Sequence, residues 1–144
     1  LKFIIKNDKT MKKNLILAVM AALMMVSCAE KKSFETLNGE WDVVTIGDLA
    51  IADSIDAFIG FDVAEQMIYG STGCNHLTGA MPTEIGGESL IFGAMGSTRM
   101  MCPDMTIEDA MLPALGVVVD FKVEGENLYL LDVTGNTVMT LKKR

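Results

Sequence analysis

From Leu37 onward, short runs of apolar and β-forming residues alternate with turn residues. Val, Ile, Phe, Tyr and Trp favour strands, whereas Gly, Asn and Asp favour the turns between them. The pattern predicts a strand-rich domain with a hairpin around residues 62–65 and a meander of three strands at the end. The predicted strands are residues 41–46, 58–61, 66–69, 90–92, 117–123, 128–131 and 137–141.

One segment has apolar residues at helical spacing, which predicts a single helix before the last three strands. Asp104 or Thr106 would cap its N-terminus, and Thr106 and Asp109 have the spacing of a capping box. Pro113 should kink or shorten the helix, because proline lacks the backbone N–H. The residues expected on its core face are Ile107, Ala110, Met111, Ala114 and Leu115.

These elements indicate an α+β fold that is mainly β, with antiparallel strands. A meander of short strands must protect its edges, so we expect a barrel-like arrangement. Most of the eight methionines after residue 28 should fill the core. The large core residues are expected to be Trp41, Phe58, Phe61, Phe92 and Phe121.

The N-terminal segment has the pattern of an export signal rather than of a folded element. Lys12 and Lys13 precede an apolar run over residues 15–26, which is followed by Ser27. Spanning a bilayer takes about 20 residues, so this run is too short for a transmembrane helix. We predict a signal peptide over residues 1–27. Met11 is a more natural start than Leu1, so residues 1–10 would be a spurious upstream extension.

Residues 25–28, Met-Val-Ser-Cys, resemble a bacterial lipobox, in which the cysteine becomes the lipidated first residue. We therefore expect Cys28 to carry the lipid anchor, since more than one acyl chain holds a domain stably at a bilayer. Ala29 in the next position predicts an outer-membrane lipoprotein that faces the periplasm. Residues 28–36 would form the anchor and a tether to a domain over residues 37–144. The alternative is an ordinary signal peptide cleaved near Ala29.

Charge narrows the possible partners. The chain has 12 Lys and Arg against 19 Asp and Glu, and residues 28–144 have 7 against 18, a net charge of −11. A nucleic-acid partner is excluded, since it requires a basic surface. A basic envelope protein or peptide fits the charge, although solubility explains it equally well. The single His excludes a metal centre built from several histidines.

Two windows carry candidate chemistry: residues 73–76, Gly-Cys-Asn-His, and residues 97–102, Ser-Thr-Arg-Met-Met-Cys. In an exported domain the two remaining cysteines are most simply explained as a disulfide between Cys74 and Cys102. It would close a loop of 29 residues. The alternative is a thiol enzyme with Cys74 as nucleophile and His76 as base, since residues i and i+2 of a strand share a face.

The other candidates point to structure rather than catalysis. Arg99 is expected to be a buried or half-buried cation that anchors carboxylates, with an anion clamp as the alternative. No phosphate loop, dinucleotide fingerprint or zinc spacing is present, and no metal or cofactor is expected. Ser97 and Thr98 lack a second His for a triad. For Met95, Met100 and Met101, packing is favoured over a copper or haem site. The acidic candidates for a glycosidase-like pair are abundant, and nothing singles out two of Glu84, Glu88, Glu108 and Asp109.

Several short motifs follow one another along the chain: Gly39 and Trp41; Gly73, Cys74 and Asn75; Gly79; Thr98, Arg99 and Cys102; Ala114 and Leu115; and Leu128 and Leu130. In this order they resemble the META domain family of HslJ-like heat-inducible bacterial lipoproteins. The resemblance covers about residues 37–141. His76 departs from the family pattern, in which Arg or another polar residue is common at that position, and Pro113 is unusual in the helix.

The resemblance implies a small strand-rich domain with one helix, exported and often lipid-anchored, and associated with heat shock and envelope stress. It brings no catalytic residue or cofactor. We therefore expect a non-enzymatic, periplasm-facing lipoprotein that acts by binding in envelope stress or homeostasis. The alternatives are an inhibitor of secreted proteases that presents a disulfide-clamped loop over residues 78–101, and the thiol enzyme.

Overall fold

A computed structural model of the chain describes residues 33–81 and 89–144. The predicted signal peptide, Cys28, Glu84 and Glu88 lie outside these residues. The described elements are a short 3-10 helix Phe34–Leu37, strands β1 Gly39–Ile46, β2 Leu49–Ala50, β3 Ala57–Asp62, β4 Met67–Thr72, β5 His76–Ala80 and β6 Gly96–Ser97, helix α1 Thr106–Gly116, and strands β7 Asp120–Glu124, β8 Asn127–Leu131 and β9 Thr137–Lys143.

The strands form one antiparallel sheet in the order β6-β5-β4-β3-β1-β9-β8-β7, and β2 pairs with β1. This confirms the mainly-β fold, the β3–β4 hairpin and the C-terminal meander of β7, β8 and β9. Within the described part of the chain β6 and β7 do not pair with each other, so the sheet is open rather than a closed barrel. The outermost strands differ: β6 has two residues, whereas β7 exposes Lys122 and Glu124, whose charged groups lie 2.5 Å apart.

One face of the sheet contributes alternate side chains to a single core. Strand β1 buries Trp41 and Val43, and a bulge between Val43 and Thr45 then places Ile46 on the same face. Side chains from β5 and from β7 join this same cluster, although these strands lie near opposite ends of the sheet. The sheet must therefore curve around its core. The barrel-like prediction is correct in this curvature but not in closure.

Helix α1 covers part of this core and packs against β1 and β4. Met111 and Leu115 are buried, and Ile107, Ala110 and Ala114 are partly buried, as the apolar spacing predicts. The predicted capping box does not form: Met105 is the N-cap, and Asp104 accepts a hydrogen bond from the Thr106 N–H at 2.9 Å. Pro113 lies within the helix without ending it, since the helix continues to Gly116.

Three sequence expectations about the core are wrong. Residues 90–92 form no strand, although Leu90 and Phe92 are buried. Phe58 is only half-buried, because neighbouring Ala57 and Ile59 occupy the core face of β3. Three of the eight methionines after residue 28 are buried, which is fewer than expected. Met81, Met111 and Met139 are buried and Met95 packs partly against the core, whereas Met67, Met100 and Met101 are exposed.

The folded domain begins before Leu37. Phe34, which the sequence places in the tether, packs its ring against Phe121 with centroids 5.5 Å apart. Ser33 caps the short 3-10 helix by accepting a hydrogen bond from the Glu35 N–H at 3.3 Å. Residues 33–36 are therefore part of the domain. In the two described ranges, no helix combines the length and the apolar character needed to cross a bilayer.

Candidate functional site

The turn between β4 and β5 shapes the first candidate window. Gly73 has a φ of +86°, in the left-handed region that glycine adopts without strain. The Thr72 N–H donates to the carbonyl of Asn75 at 2.9 Å, and the Thr72 hydroxyl oxygen accepts from the Asn75 N–H at 3.0 Å. The chain therefore reverses tightly here, which fixes the directions of Cys74 and Asn75.

Asn75 is the centre of the site. Its side chain is 1% exposed and uses all its hydrogen-bonding positions. The carbonyl oxygen accepts from the Thr98 hydroxyl and from the Met100 N–H, both at 2.8 Å. The amide nitrogen donates to the Met100 carbonyl at 3.1 Å and to the Glu108 carboxylate at 2.7 Å. One side chain thus connects the β4–β5 turn, the second window and helix α1.

Glu108 completes this arrangement from the first turn of α1. It is 9% exposed, and one of its carboxylate oxygens also accepts from the Thr72 hydroxyl at 2.9 Å. Buried carboxylates require such donors, so Thr72 and Asn75 explain why an acidic residue is tolerated here. No pattern in the sequence singles out Thr72, and none separates Glu108 from the neighbouring Asp109, which is exposed.

The structure contains the predicted disulfide between Cys74 and Cys102, with Cα atoms 6.1 Å apart. Cys74 therefore has no thiol in this structure. His76, proposed as its base in the thiol-enzyme alternative, is exposed at the start of β5. Its backbone N–H donates to the Thr98 hydroxyl oxygen at 3.0 Å, and its carbonyl accepts from the Thr98 N–H at 3.1 Å.

The prediction for Arg99 is wrong. Its side chain is exposed and forms no ion pair with any residue that the structure describes. The reason is its position between Thr98 and Met100, both of which are bonded to Asn75, so that the intervening side chain points away from the cluster. Met100 and Met101 are also exposed, and Met101 is 93% accessible to solvent.

A different arginine binds carboxylates. Arg144 contacts Glu40 at 3.3 Å, Asp42 at 2.5 Å and Asp56, and its guanidinium lies 4.1 Å from the centre of the Phe58 ring. Burial alone would lower the pKa of Arg144, but the hydrogen bonds to Asp42, Asp56 and Glu40 outweigh it and raise the pKa above its ordinary value. No sequence motif predicts this cluster, because its members come from three separate segments.

Tyr69 borders the same cluster. Its hydroxyl donates to Glu40 at 3.3 Å, and burial together with the Glu40 charge raises the pKa of Tyr69. Beside the cluster, a groove of about 360 Å³ is lined by Asp42, Ile51, Asp56 and Arg144 among others. Across the described ranges, no three His, Cys, Asp or Glu side chains converge in a way that could hold a metal ion.

The remaining motif residues lie in the core. Trp41 is buried and donates its indole N–H to the Leu37 carbonyl at 2.7 Å. Leu128 and Leu130 are fully buried on β8. A side chain at Gly79 would collide with Met95, since a Cβ there would lie 2.4 Å from its sulfur. Most motif residues therefore either contribute to the core or hold residues 98–102 against the β4–β5 turn, whereas the exposed Arg99 does neither.

Solved structures with this fold exist. The chain is similar to a protein from Burkholderia xenovorans solved by NMR, with 20% identity, a TM-score of 0.59, and coverage of 83% of this chain and 99% of that one. A second NMR structure has 19% identity, a TM-score of 0.56, and coverage of 74% and 89%. A DUF4847 family protein from Bacteroides vulgatus has 11% identity, a TM-score of 0.52, and coverage of 75% and 94%.

These likenesses are too distant in sequence to show more than the fold. No curated protein matches the chain. The model of the META domain, however, matches residues 33–144. The match begins where the described fold begins, and it includes both windows and the helix between them and the last strands. The chain therefore belongs to the META domain family.

Proposed function

We propose that this META domain protein is a non-enzymatic binding module of the bacterial cell envelope, serving envelope stress or homeostasis. The observation that carries the proposal is the use of the motif residues within the fold. Cys74 is bonded to Cys102, and the Asn75 amide has four internal hydrogen bonds. This structural use of the motif residues supports a binding role for the exposed surface that they hold in place.

The anchoring part of the proposal rests on the sequence. Cys28 would carry the acyl chains and hold the domain at the periplasmic face of the outer membrane. The net charge of −11 over residues 28–144 supports a body that stands away from anionic lipid, because like charges repel within a Debye length. The domain would then meet its partners in the periplasm rather than in the headgroup layer.

The anchor is tested by metabolic labelling with a palmitate analogue in a bacterial host. The expected result is label on the wild-type chain and none on Cys28→Ala, with Cys102→Ala as the matched control that keeps the label. The envelope role is tested by heat survival of cells that lack the gene. Wild type should restore survival, and Cys28→Ala should restore it poorly. An unlabelled wild-type chain would contradict the anchor, and unchanged survival would contradict the stress role.

A second candidate function, inhibition of secreted proteases, is favoured by one observation. Residues 98–101 are exposed, yet Thr98 and Met100 are hydrogen-bonded to Asn75. Cys102, which follows this segment, is in the disulfide. A surface loop with a fixed backbone is what such inhibitors require, since preorganisation removes the entropy cost of ordering on binding. In this candidate, binding to a protease is the specific form that the binding role takes.

A further inference from the structure

We propose that residues 98–101 are a reactive-site loop for serine proteases that cleave after arginine, and that Arg99 enters the specificity pocket. The proposal rests on the binding role above and names its partner class. In such a complex the loop lies in the protease cleft like a substrate, and the peptide bond between Arg99 and Met100 meets the catalytic serine. The argument depends on backbone support, exposure and charge.

The backbone is supported on both sides of that peptide bond. Before it, the Thr98 N–H donates to the His76 carbonyl at 3.1 Å, and the Thr98 hydroxyl donates to Asn75 at 2.8 Å. After it, the N–H and the carbonyl of Met100 both bond to the Asn75 amide, at 2.8 and 3.1 Å. A buried asparagine thus holds the residues that flank Arg99. Exposing a charged side chain would not by itself require the backbone on both sides to be held in this way.

The groups that a protease would contact are available. The backbones of Arg99 and Met101 form no hydrogen bond with other residues in the described ranges. An extended peptide can therefore pair with the edge of the enzyme's cleft through main-chain hydrogen bonds. The side chains are equally accessible, since Arg99 is exposed, and Met100 and Met101 are 49% and 93% exposed.

The charge of the loop points to a protease with an acidic pocket. Arg99 is the only Lys or Arg in residues 33–121, a stretch that contains 14 Asp and Glu. Despite this excess of carboxylates, Arg99 pairs with none in the described part of the chain, whereas Arg144 contacts three. A carboxylate at the base of the pocket selects arginine or lysine in trypsin-like enzymes. Arg99 therefore has the chemistry for this class, and its charge is not already used by the fold.

The disulfide determines what cleavage would do. When the serine attacks the Arg99 carbonyl, Met100 leaves as an amine, and water then releases Arg99 as a carboxylate. The two chains would remain joined through Cys74 and Cys102. Until water reaches the acyl-enzyme, Asn75 would hold the new Met100 amine beside the ester between Arg99 and the serine. The amine can attack this ester, which re-forms the peptide bond and releases the serine hydroxyl. Cleavage is therefore expected to be slow and reversible, and the complex to persist.

The proposal is tested by titrating the full chain against trypsin and, in parallel, chymotrypsin. We expect inhibition of trypsin and none of chymotrypsin. Arg99→Ala should weaken inhibition by at least about 100-fold, the loss expected when the central residue of an interface is truncated. Arg99→Leu should shift inhibition to chymotrypsin, whose pocket is apolar. Lys122→Ala, which removes another exposed cation, is the control and should inhibit as wild type does. Thermal melting of each variant confirms folding.

Three results would overturn the proposal. The first is the absence of trypsin inhibition by the folded wild-type chain at about 10 µM, a concentration that reveals even weak complexes. The second is rapid hydrolysis after Arg99 without inhibition, seen as one added water by intact mass and as two chains after reduction. The third is Arg99-dependent binding of an acidic peptide without inhibition, which would favour an acidic partner. None of these results affects the labelling of Cys28, so failure of the protease proposal is distinguishable from failure of the anchored binding role.

Discussion

The side-chain amide of Asn75 accepts a hydrogen bond from the N–H of Met100 and donates one to its carbonyl, over 2.8 and 3.1 Å. This is the pattern that a backbone residue forms with its partner across an antiparallel ladder. The asparagine therefore substitutes for a strand just beyond β6, where regular pairing has ended. A segment without secondary structure obtains in this way the backbone order of a sheet.

Replacing Asn75 with alanine should lower the free energy of unfolding by about 2–4 kcal/mol, because buried partners lose their hydrogen bonds. The Met100 carbonyl and the Glu108 carboxylate both lose a donor, and Glu108 is buried. Urea unfolding followed by circular dichroism measures the change. Asn136→Ala is the control, since Asn136 lies exposed in a turn and should cost less than about 0.5 kcal/mol. Equal effects of the two substitutions would contradict the central role of Asn75.

Neither Cys74 nor Cys102 should have a free thiol in the folded domain. In the chain-entropy model a closed loop of 29 residues stabilises by about 3–4 kcal/mol. Replacing both Cys74 and Cys102 with alanine should therefore lower the free energy of unfolding by about that amount. Alkylation under denaturing, non-reducing conditions, read by intact mass in a Cys28→Ala background, counts the thiols. Two alkylated cysteines would contradict the disulfide and return the Cys74–His76 pair to consideration.

Arg144→Met should reduce stability, and should do so more at low salt than at high salt. The substitution keeps apolar contact with Phe58 but leaves Glu40, Asp42 and Asp56 close together without their cation. Because these groups are partly exposed, the expected loss is about 1 kcal/mol at low ionic strength, shrinking towards zero near 1 M NaCl. Unfolding curves at both salt concentrations measure it. Lys142→Met on β9 is the control; a similar loss there would indicate a general charge effect.

Asp132 should contribute to stability above about pH 4 and lose this contribution in acid. Hydrogen bonds from the Thr134 side chain, and then from the Asn136 backbone, lower the pKa of Asp132 below its ordinary 3.8. The unfolded chain therefore binds this proton more readily, so stability falls as the pH drops through the lowered pKa. Carboxyl NMR titration gives the pKa directly. Thr134→Val should move it back towards 3.8, and an unchanged pKa in that variant would contradict the assigned cause.

Much of the fold followed from periodicity, and the exceptions have physical reasons. The helix and the C-terminal strands are regular enough for apolar spacing to reveal them. Residues 90–92 resemble a strand because Leu90 and Phe92 alternate with exposed Ile91, but they bury those side chains without pairing. Strand β5 contains Gly79 and Ala80, which are not typical of strands, and the ladder with β4 overrides this weak propensity.

The site was predictable in part. The number of cysteines and the Gly-Cys-Asn turn indicated that residues 73–76 and 97–102 lie together, because a disulfide joins distant segments. The partners of Asn75 were not predictable, since its contacts to Thr98, Met100 and Glu108 span 23 to 33 residues and follow no periodic rule. The same holds for Arg99 and Arg144. Which arginine binds carboxylates depends on where the chain brings Glu40, Asp42 and Asp56.

The unequal margins of the sheet have a consequence for crowding. An open sheet can recruit a strand from a neighbouring molecule, which is how many β proteins aggregate. At one edge of this sheet, the outermost strand β6 has only two residues to which an incoming strand could pair. At the other edge, an incoming strand would have to accommodate the charges of Lys122 and Glu124 on β7. If Cys28 anchors the chain as proposed, molecules concentrated in the plane of a membrane would therefore stay separate, and residues 98–101 of each would remain exposed.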